Sequence, residues 1–452
     1  MNVREEAKKV KLAAPYMAAA SLKVRTQALQ NIVKALEDHR EEIFQANALD
    51  VQAAVDAGVA QAVIKRLKFD ENKLRDAIAG LRQMAELKDP LGKVTLKREL
   101  DQGLLLQRVT VPIGVIGVIF EARPDALIQI SALCIMSGNC AILKGGKETA
   151  RTNKVLFELV HQAAVEAGLP EGCLLQVELH NEIDELLKCQ GEVDLLIPRG
   201  SNKFVQYIMD NTNIPVMGHA AGICHIYLDE KADLAEAVPV ILDAKTQYPA
   251  VCNAVETLLV NRKIADTALP VVLGALVQAG VKLRGSAEVA EQAKTLVAAG
   301  KLGSADDAAK YEVEVMGEED FATEYTDMII SVKLVDNVAE AVDHINKFGS
   351  HHTDCILTKD DVAADYFLKM VDSAGVYWNC STRFADGFRY GFGAEVGVST
   401  GKLHARGPVG LEGLVTYKYQ LIGHGQQVGD YVSGKKEFHH RDLERRAQVY
   451  TS

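Results

Sequence analysis

The side chain most able to do covalent chemistry is the thiol of Cys252, in the stretch Asp243-Ala-Lys-Thr-Gln-Tyr-Pro-Ala-Val-Cys-Asn-Ala-Val-Glu-Thr-Leu-Leu-Val260. A helical pattern runs from about Leu234 to Lys245 and an apolar run, Glu256 to Val260, reads as a strand, which leaves the thiol in the loop between them. Pro249 breaks the helix and the polar Asn253 follows the thiol, so Cys252 is not expected to pack as an ordinary core residue. A partly exposed thiol is a candidate nucleophile. A free cysteine is more often a small buried hydrophobe, and Cys252 stands apart only through its company.

Four other stretches could serve such a thiol. Val111 to Pro124 reads as a strand that delivers Glu121 and Arg123 to its carboxyl end. An arginine there can hold a phosphate or carboxylate through a two-pronged contact, and reads equally well as a surface residue in a local ion pair. Gly138-Asn-Cys-Ala-Ile-Leu-Lys-Gly-Gly-Lys-Glu148 sets Lys144, Lys147 and two glycines just past a buried strand, where a nucleotide's ribose and phosphate could lie against the backbone. Ile197-Pro-Arg-Gly-Ser-Asn202 is another strand end turning into a helix, with Gly200 and Ser201 at the turn and free N–H groups that could meet an anion. In His404-Ala-Arg-Gly-Pro-Val-Gly410, glycines permit close approach to His404 and Arg406, although a lone histidine is as often structural.

These residues need a scaffold, and the hydrophobic pattern supplies one. From Met1 to about Leu87 it is helical, with Leu29, Ile32, Val33 and Leu36 on one face and Leu74, Ile78 and Leu81 on another. Alternating strands follow, Val94 to Leu100 and Leu104 to Val111, joined by Asp101-Gln-Gly103 as a hairpin. Strand-then-helix units come next: Val115 to Phe120 before Pro124, Ala141 to Leu143 before Glu148 to Ala167, Leu174 to Val177 before Glu182 to Lys188, and Leu195 to Ile197 before Asn202 to Asp210. Nearly all-apolar strands in such alternation predict a parallel sheet covered on both faces, with ligands at the strands' carboxyl ends. A second α/β set begins after Gly222, with strands at Cys224 to Leu228, Glu256 to Val260, Ile329 to Leu334 and Cys355 to Leu357, and helices at Ala232 to Lys245 and Ala265 to Ala279. Phe384 to Gly413 carries eight glycines and reads as a long turning loop that returns to the active cleft; Val415 to Ile422 alternates as a strand, and Gly423 to Ser452 reads as an arm or a partly disordered tail.

Composition bounds the rest. A 48% hydrophobic and 25% charged chain of 452 residues is ordinary for a soluble globular protein, and its net charge of −11 argues against nucleic acid or an anionic membrane as the main partner. None of the eight cysteines forms a Cys-x-x-Cys pair; no metal is expected, and reduced thiols in a cytoplasmic protein are. Glu5, Glu6 and Pro15 interrupt what would otherwise look like a signal peptide, and no run approaches the ~18 apolar residues of a membrane span.

Together Phe120-Glu-Ala-Arg-Pro124, Leu143-Lys-Gly-Gly-Lys-Glu148, Pro198-Arg-Gly-Ser-Asn202, Tyr248-Pro-Ala-Val-Cys-Asn253 and Gly393-Ala-Glu-Val-Gly397 through Gly410 resemble the aldehyde dehydrogenase superfamily, over about Ala28 to Gly425. The resemblance implies an α/β fold with a Rossmann-type cofactor domain, a second α/β catalytic domain and a small β oligomerisation element. The corresponding boundaries are 1–93 for a helical lead-in and part of the cofactor domain, 94–111 for an oligomerisation hairpin, and 112–222 for NADP binding. Catalysis falls to 223–380, and 381–452 holds the Gly-rich loop, an oligomerisation strand at 415–422 and the tail. It implies Cys252 as nucleophile, Lys144 on the adenosine ribose, Glu324 on the nicotinamide ribose, and a homo-oligomer, most simply a dimer.

Within the superfamily the motifs match the branch that reduces L-glutamyl 5-phosphate to glutamate 5-semialdehyde in proline biosynthesis. Oxidising relatives carry a water-activating glutamate, but the matching Val216-Met-Gly-His-Ala220 has no carboxylate. An enzyme that takes an acyl phosphate and releases an aldehyde needs no hydrolytic water. The superfamily's oxyanion asparagine falls near Ala122, which leaves the Cys252 backbone N–H as the remaining donor. Lys147 stands where NAD-preferring relatives have glutamate, which favours NADP. The expected cofactor residues are therefore Lys144, Lys147, Gly200, Ser201 and Glu324, for NADPH. Arg123 and Arg406 are candidates for the substrate's phosphate or carboxylate, His404 and His219 for proton donation, and Asn253 for substrate contact. A transient contact with a separate glutamate kinase is left open.

Overall fold

In the computed structural model, which describes residues 2–178, 182–218, 221–303 and 305–444, the chain divides into two compact units. The first is Met1–Met217 with Phe392–Gly397 and Val409–Ser452; the second is Gly218–Gly391 with Val398–Pro408.

Helices open the first unit: α1 (Val3–Ala19), α2 (Leu22–Asp38), α3 (Arg40–Asp56), α4 (Gln61–Leu67) and α5 (Glu71–Ala85). Local signals set their ends. Ser21 caps α2 through the Val24 N–H, and Asp70 caps α5 through that of Lys73. The expected apolar stripes are the buried ones: Leu29, Ile32, Val33 and Leu36 in α2, and Leu74, Ile78 and Leu81 in α5. The hairpin follows as β1 (Val94–Asp101) and β2 (Leu104–Pro112). Then come β3 (Val115–Phe120), α6 (Pro124–Met136), β4 (Cys140–Lys144), α7 (Ala150–Glu166), β5 (Leu174–Val177), α8 (Glu182–Leu186), β6 (Leu195–Arg199) and α9 (Asn202–Asp210). The parallel sheet has the order β5-β4-β3-β6, and every residue of β3 and β4 is buried, which is what continuous apolar runs predict.

The second unit continues with β7 (Cys224–Leu228), α10 (Leu234–Thr246), β8 (Val255–Asn261), α11 (Ala265–Gln278), β9 (Lys282–Gly285), α12 (Ala287–Ala298), β10 (Val313–Val315), β11 (Ile329–Val335), α13 (Val338–Phe348), β12 (Thr353–Leu357), α14 (Asp361–Met370) and β13 (Gly375–Trp378). Its seven strands run β10-β9-β11-β8-β7-β12-β13, all parallel. Central β8 is buried along its length, so the loop just before it is anchored to the buried middle of the sheet.

The Gly-rich stretch is not wholly loop: β14 (Gly397–Ser399) and β15 (Gly407–Val409) form a two-stranded sheet. Strand β16 (Val415–Ile422) then joins the hairpin, in register from Val415 opposite Pro112 to Ile422 opposite Leu105. The described part of the tail is structured. After α15 (Val428–Val432), β17 (Arg441–Asp442) pairs with β1, completing an antiparallel sheet of order β16-β2-β1-β17. No helix among the described residues is long and apolar enough to cross a membrane.

Candidate active site

Cys252 lies in the turns between α10 and β8, half-exposed, whereas Cys134, Cys140, Cys173, Cys189, Cys224 and Cys355 are buried. Burial pushes the Cys134 and Cys173 thiols up to about 12, which keeps them protonated and unreactive. Among the described residues the backbone N–H of Cys252 donates to no backbone carbonyl, so it is available to an oxyanion held at the thiol. The Cys252 carbonyl accepts from the Cys224 thiol at 3.3 Å. On the same side Gly222 touches the loop so closely that a Cβ there would fall 2.2 Å from the Cys252 carbonyl oxygen and 2.4 Å from its Cα.

Two further sets of contacts fix this loop. Behind it, Lys245 at the end of α10 and Glu256 at the start of β8 form a fully buried ion pair of 2.7 Å that ties its two ends together. Burial lowers the lysine's pKa and raises the carboxyl's, and their mutual attraction opposes both shifts. Thr326 N–H also donates to Glu256 at 3.3 Å, which brings in the segment carrying Glu324; that side chain is half-buried and its charge acts on Glu256. On the other side is the turn Thr382–Phe384. Asn253 Nδ2 donates to Ala385 O at 2.8 Å, Thr382 Oγ1 donates to Asn253 O at 2.7 Å, and Arg383 Nε donates to Gln247 Oε1 at 2.9 Å.

Other candidates are distributed as follows. Asn253 is 5% exposed and its amide faces protein. Arg406 donates to the Asp372 carboxylate and main-chain carbonyl, both at 3.1 Å, and Lys402 shares that carboxylate, which together hold it below the usual range. His404 is exposed. Arg123 is exposed at the N-cap of α6, beside Ala122 with its positive φ of 52°. His219 lies outside the described residues.

In the first unit, a cavity of about 200 Å3 opens at the carboxyl ends of β3 and β4, lined among others by Phe120, Glu121, Lys144, Lys147, Glu148 and Phe204. Lys144 is 2% exposed, its Nζ donates to Gly145 O at 2.5 Å, and burial lowers its pKa against the opposing pull of Glu148 and Glu182. Lys147 is exposed at the rim. Glu148 accepts from the Ala122 N–H at 2.7 Å, and a Cβ on Gly146 would fall 2.2 Å from that carboxylate. At the start of α9 the Ser201 N–H points at Glu121 Oε2, 3.4 Å away, and a Cβ on Gly200 would meet the same oxygen at 2.6 Å. A carboxylate thus already sits where the helix terminus attracts negative charge.

The chain belongs to the aldehyde dehydrogenase family, whose sequence profile matches residues 1–295 and whose enzymes use nicotinamide cofactors. The gamma-glutamyl phosphate reductase of Pelotomaculum thermopropionicum is 49% identical over 100% of both chains, and that of Synechococcus sp. (strain WH7803) is 54% identical over 93% of this chain and 92% of its own. Among solved structures, the gamma-glutamyl phosphate reductase of Thermotoga maritima matches with a TM-score of 0.88 and 38% identity, covering 94% of this chain and 100% of the other. Within the family this oxidoreductase groups with these reductases, and the expected fold class is the observed one.

Sequence reasoning did not single out Arg383. It is 8% exposed, in the turn whose residues Thr382 and Ala385 bond Asn253 next to the thiol, with no ion pair among the described residues. Nothing local marks it, because the side chain it bonds, Gln247, lies 136 residues earlier in the chain.

Proposed function

We propose that the protein reduces L-glutamyl 5-phosphate to L-glutamate 5-semialdehyde with release of phosphate, using NADPH, in the route to proline. The observation that carries the reading is Cys252, the half-exposed thiol of a loop that three independent contacts hold rigid, with an undirected backbone N–H beside it. As thiolate it attacks the γ-carbonyl carbon. The S–C bond forms, the C–O bond to phosphate breaks, and the leaving oxygen takes the electron pair. The Cys252 N–H stabilises the negative oxygen of the tetrahedral stage. A thioester remains on the enzyme.

The cavity by Lys144 fits a nucleotide: it supplies a buried cation, backbone N–H groups of a glycine turn, and carboxylates for ribose hydroxyls. Lys144, Lys147, Gly200 and Ser201 would hold the adenosine side and Glu324 the nicotinamide ribose, with Lys147 favouring the 2′-phosphate of NADP. Bound there, the reduced nicotinamide supplies hydride to the thioester carbon. Collapse of the thiohemiacetal then returns the thiolate. Arg123, His219, His404 and Arg406 are the substrate-side candidates, while the buried amide of Asn253 acts by positioning the loop. The antiparallel sheet is the proposed oligomerisation element, the proposed setting is the cytoplasm, and a separate glutamate kinase is a proposed transient partner.

The test is to run the reaction backward without phosphate. Wild-type enzyme given NADP and glutamate 5-semialdehyde should form reduced nicotinamide equal to the enzyme present, and acid-quenched protein should carry one glutamyl group on Cys252. Added phosphate should release it. Continuous turnover without phosphate would instead identify an oxidising dehydrogenase.

A further inference from the structure

Four cationic side chains among the described residues are buried to nine-tenths or more: Arg25, Lys144, Lys245 and Arg383. A buried charge without a counter-ion is costly, so each should have a partner. Arg25 has one in Asp89 at 2.6 Å and Lys245 has Glu256. Neither Lys144 nor Arg383 is in an ion pair with a described residue. Lys144 faces the cavity already assigned to the cofactor. Arg383 is held by its Nε on Gln247, which leaves its two terminal nitrogens without a hydrogen-bond partner among the described residues.

The position of that guanidinium is well fixed. Thr382 and Ala385, on either side, are both bonded to Asn253, the neighbour of Cys252, and Gln247 belongs to the stretch leading into the same loop. Burial first, and then the neighbouring Arg389, pull the Arg383 pKa down, while the charges of Asp386, Cys252 and Asp243 pull it up. The Arg383 cation and the Cys252 thiol therefore lie within reach of each other's charge.

We propose that Arg383 binds the phosphoryl oxyanion of the acyl-phosphate substrate next to the attacking thiol. This rests on the reaction proposed above. In L-glutamyl 5-phosphate the phosphoryl group is attached through one oxygen to the carbon that Cys252 attacks, whereas the α-carboxylate is separated from that carbon by a chain of further carbons. A cation beside the thiol therefore meets the phosphoryl group first. As the C–O bond breaks and the electron pair moves onto the leaving oxygen, the guanidinium holds the growing charge, and phosphate departs after taking one proton from solvent. In reverse the same two nitrogens orient inorganic phosphate toward the thioester.

Two measurements on Arg383→Gln and Arg383→Lys test this. The first compares alkylation of Cys252 by iodoacetate with that by neutral iodoacetamide, which requires neither cofactor nor turnover. Wild type should favour the anionic reagent, about tenfold or more above the ratio for a free thiol, with inorganic phosphate protecting. The preference should vanish in Arg383→Gln and partly return in Arg383→Lys. The second is the reverse reaction: Arg383→Gln should raise the KM for phosphate by about 100-fold, with the KM values for NADP and aldehyde nearly unchanged. An unchanged alkylation ratio in a folded Gln variant overturns the proposal, and so does a raised KM for the aldehyde alone, which would mean that Arg383 reads the α-carboxylate. Phosphate-independent turnover by wild type would overturn the reaction and with it the phosphoryl assignment, while an Arg383-dependent iodoacetate preference would still establish an anion site at the thiol.

Discussion

At the scale of single residues, the chemistry depends on a thiol and the close contact behind it. Position 222 admits no side chain because a Cβ would overlap backbone atoms of Cys252, which cannot swing aside as a side-chain tip could. Gly222→Ala should therefore shift the nucleophile by several tenths of an ångström, and we expect kcat to fall by about 100-fold, since misplacement near one ångström costs that much. Cofactor affinity should hold, because the atoms nearest the added methyl are all of Cys252 and none belongs to the lining of the Lys144 cavity. Steady-state kinetics with a cofactor titration separates the two; an unchanged kcat would mean that the loop's position is not what matters. Cys252 was legible from Pro249 and Asn253 around it. Arg383 was not, because what distinguishes it is a missing counter-ion in a buried place, and burial there comes from contacts across more than 100 residues.

At the scale of elements, four strands could be read to the residue, Val115–Phe120, Leu174–Val177 and Cys224–Leu228 from mainly apolar runs between turn residues and Val415–Ile422 from alternation. Strands β9, β10 and β13, three or four residues each, were not, since so short a run has no period to detect and forms only because a neighbouring strand offers its edge. Helix α13 shows how such packing alters chemistry. His344 on its buried face meets Phe321, Phe348 and His225, and its Nδ1 accepts from Lys333 at 3.3 Å. Burial foremost, then the nearby His225, Lys333 and Lys347, push its pKa from 6.5 down to about 2. The unfolded chain thus binds a proton below pH 6.5 that the folded protein refuses, so this group's contribution to stability falls as pH drops through that window, by up to ~1.4 kcal/mol per pH unit. In urea unfolding between pH 7 and 4.5, His344→Leu should show a shallower loss of stability than wild type. Parallel slopes would contradict the assignment.

For the whole molecule, the antiparallel sheet has an unusual edge. Strand β16 is outermost, and Tyr417, Tyr419 and Leu421 on it are 52%, 57% and 57% exposed. A long apolar edge of this kind invites a second chain. Tyr419→Glu combined with Leu421→Lys should convert an oligomer to monomers in sedimentation velocity, whereas a wild-type monomer would remove the role given to the sheet. Its first three strands were visible as alternation in the sequence. The closing strand β17 was not, because Arg441 and Asp442 are polar and are drawn in by pairing with Arg98 and Glu99.

The central claim is that Cys252 passes an acyl group between hydride and phosphate, and the most direct measurement is NADP reduction with glutamate 5-semialdehyde, with and without inorganic phosphate, for wild type and Cys252→Ala. The account predicts sustained reduction only by wild type and only with phosphate present, with Cys252→Ala slower by at least ~10⁴-fold. Sustained reduction without phosphate, or by the alanine variant, would contradict it.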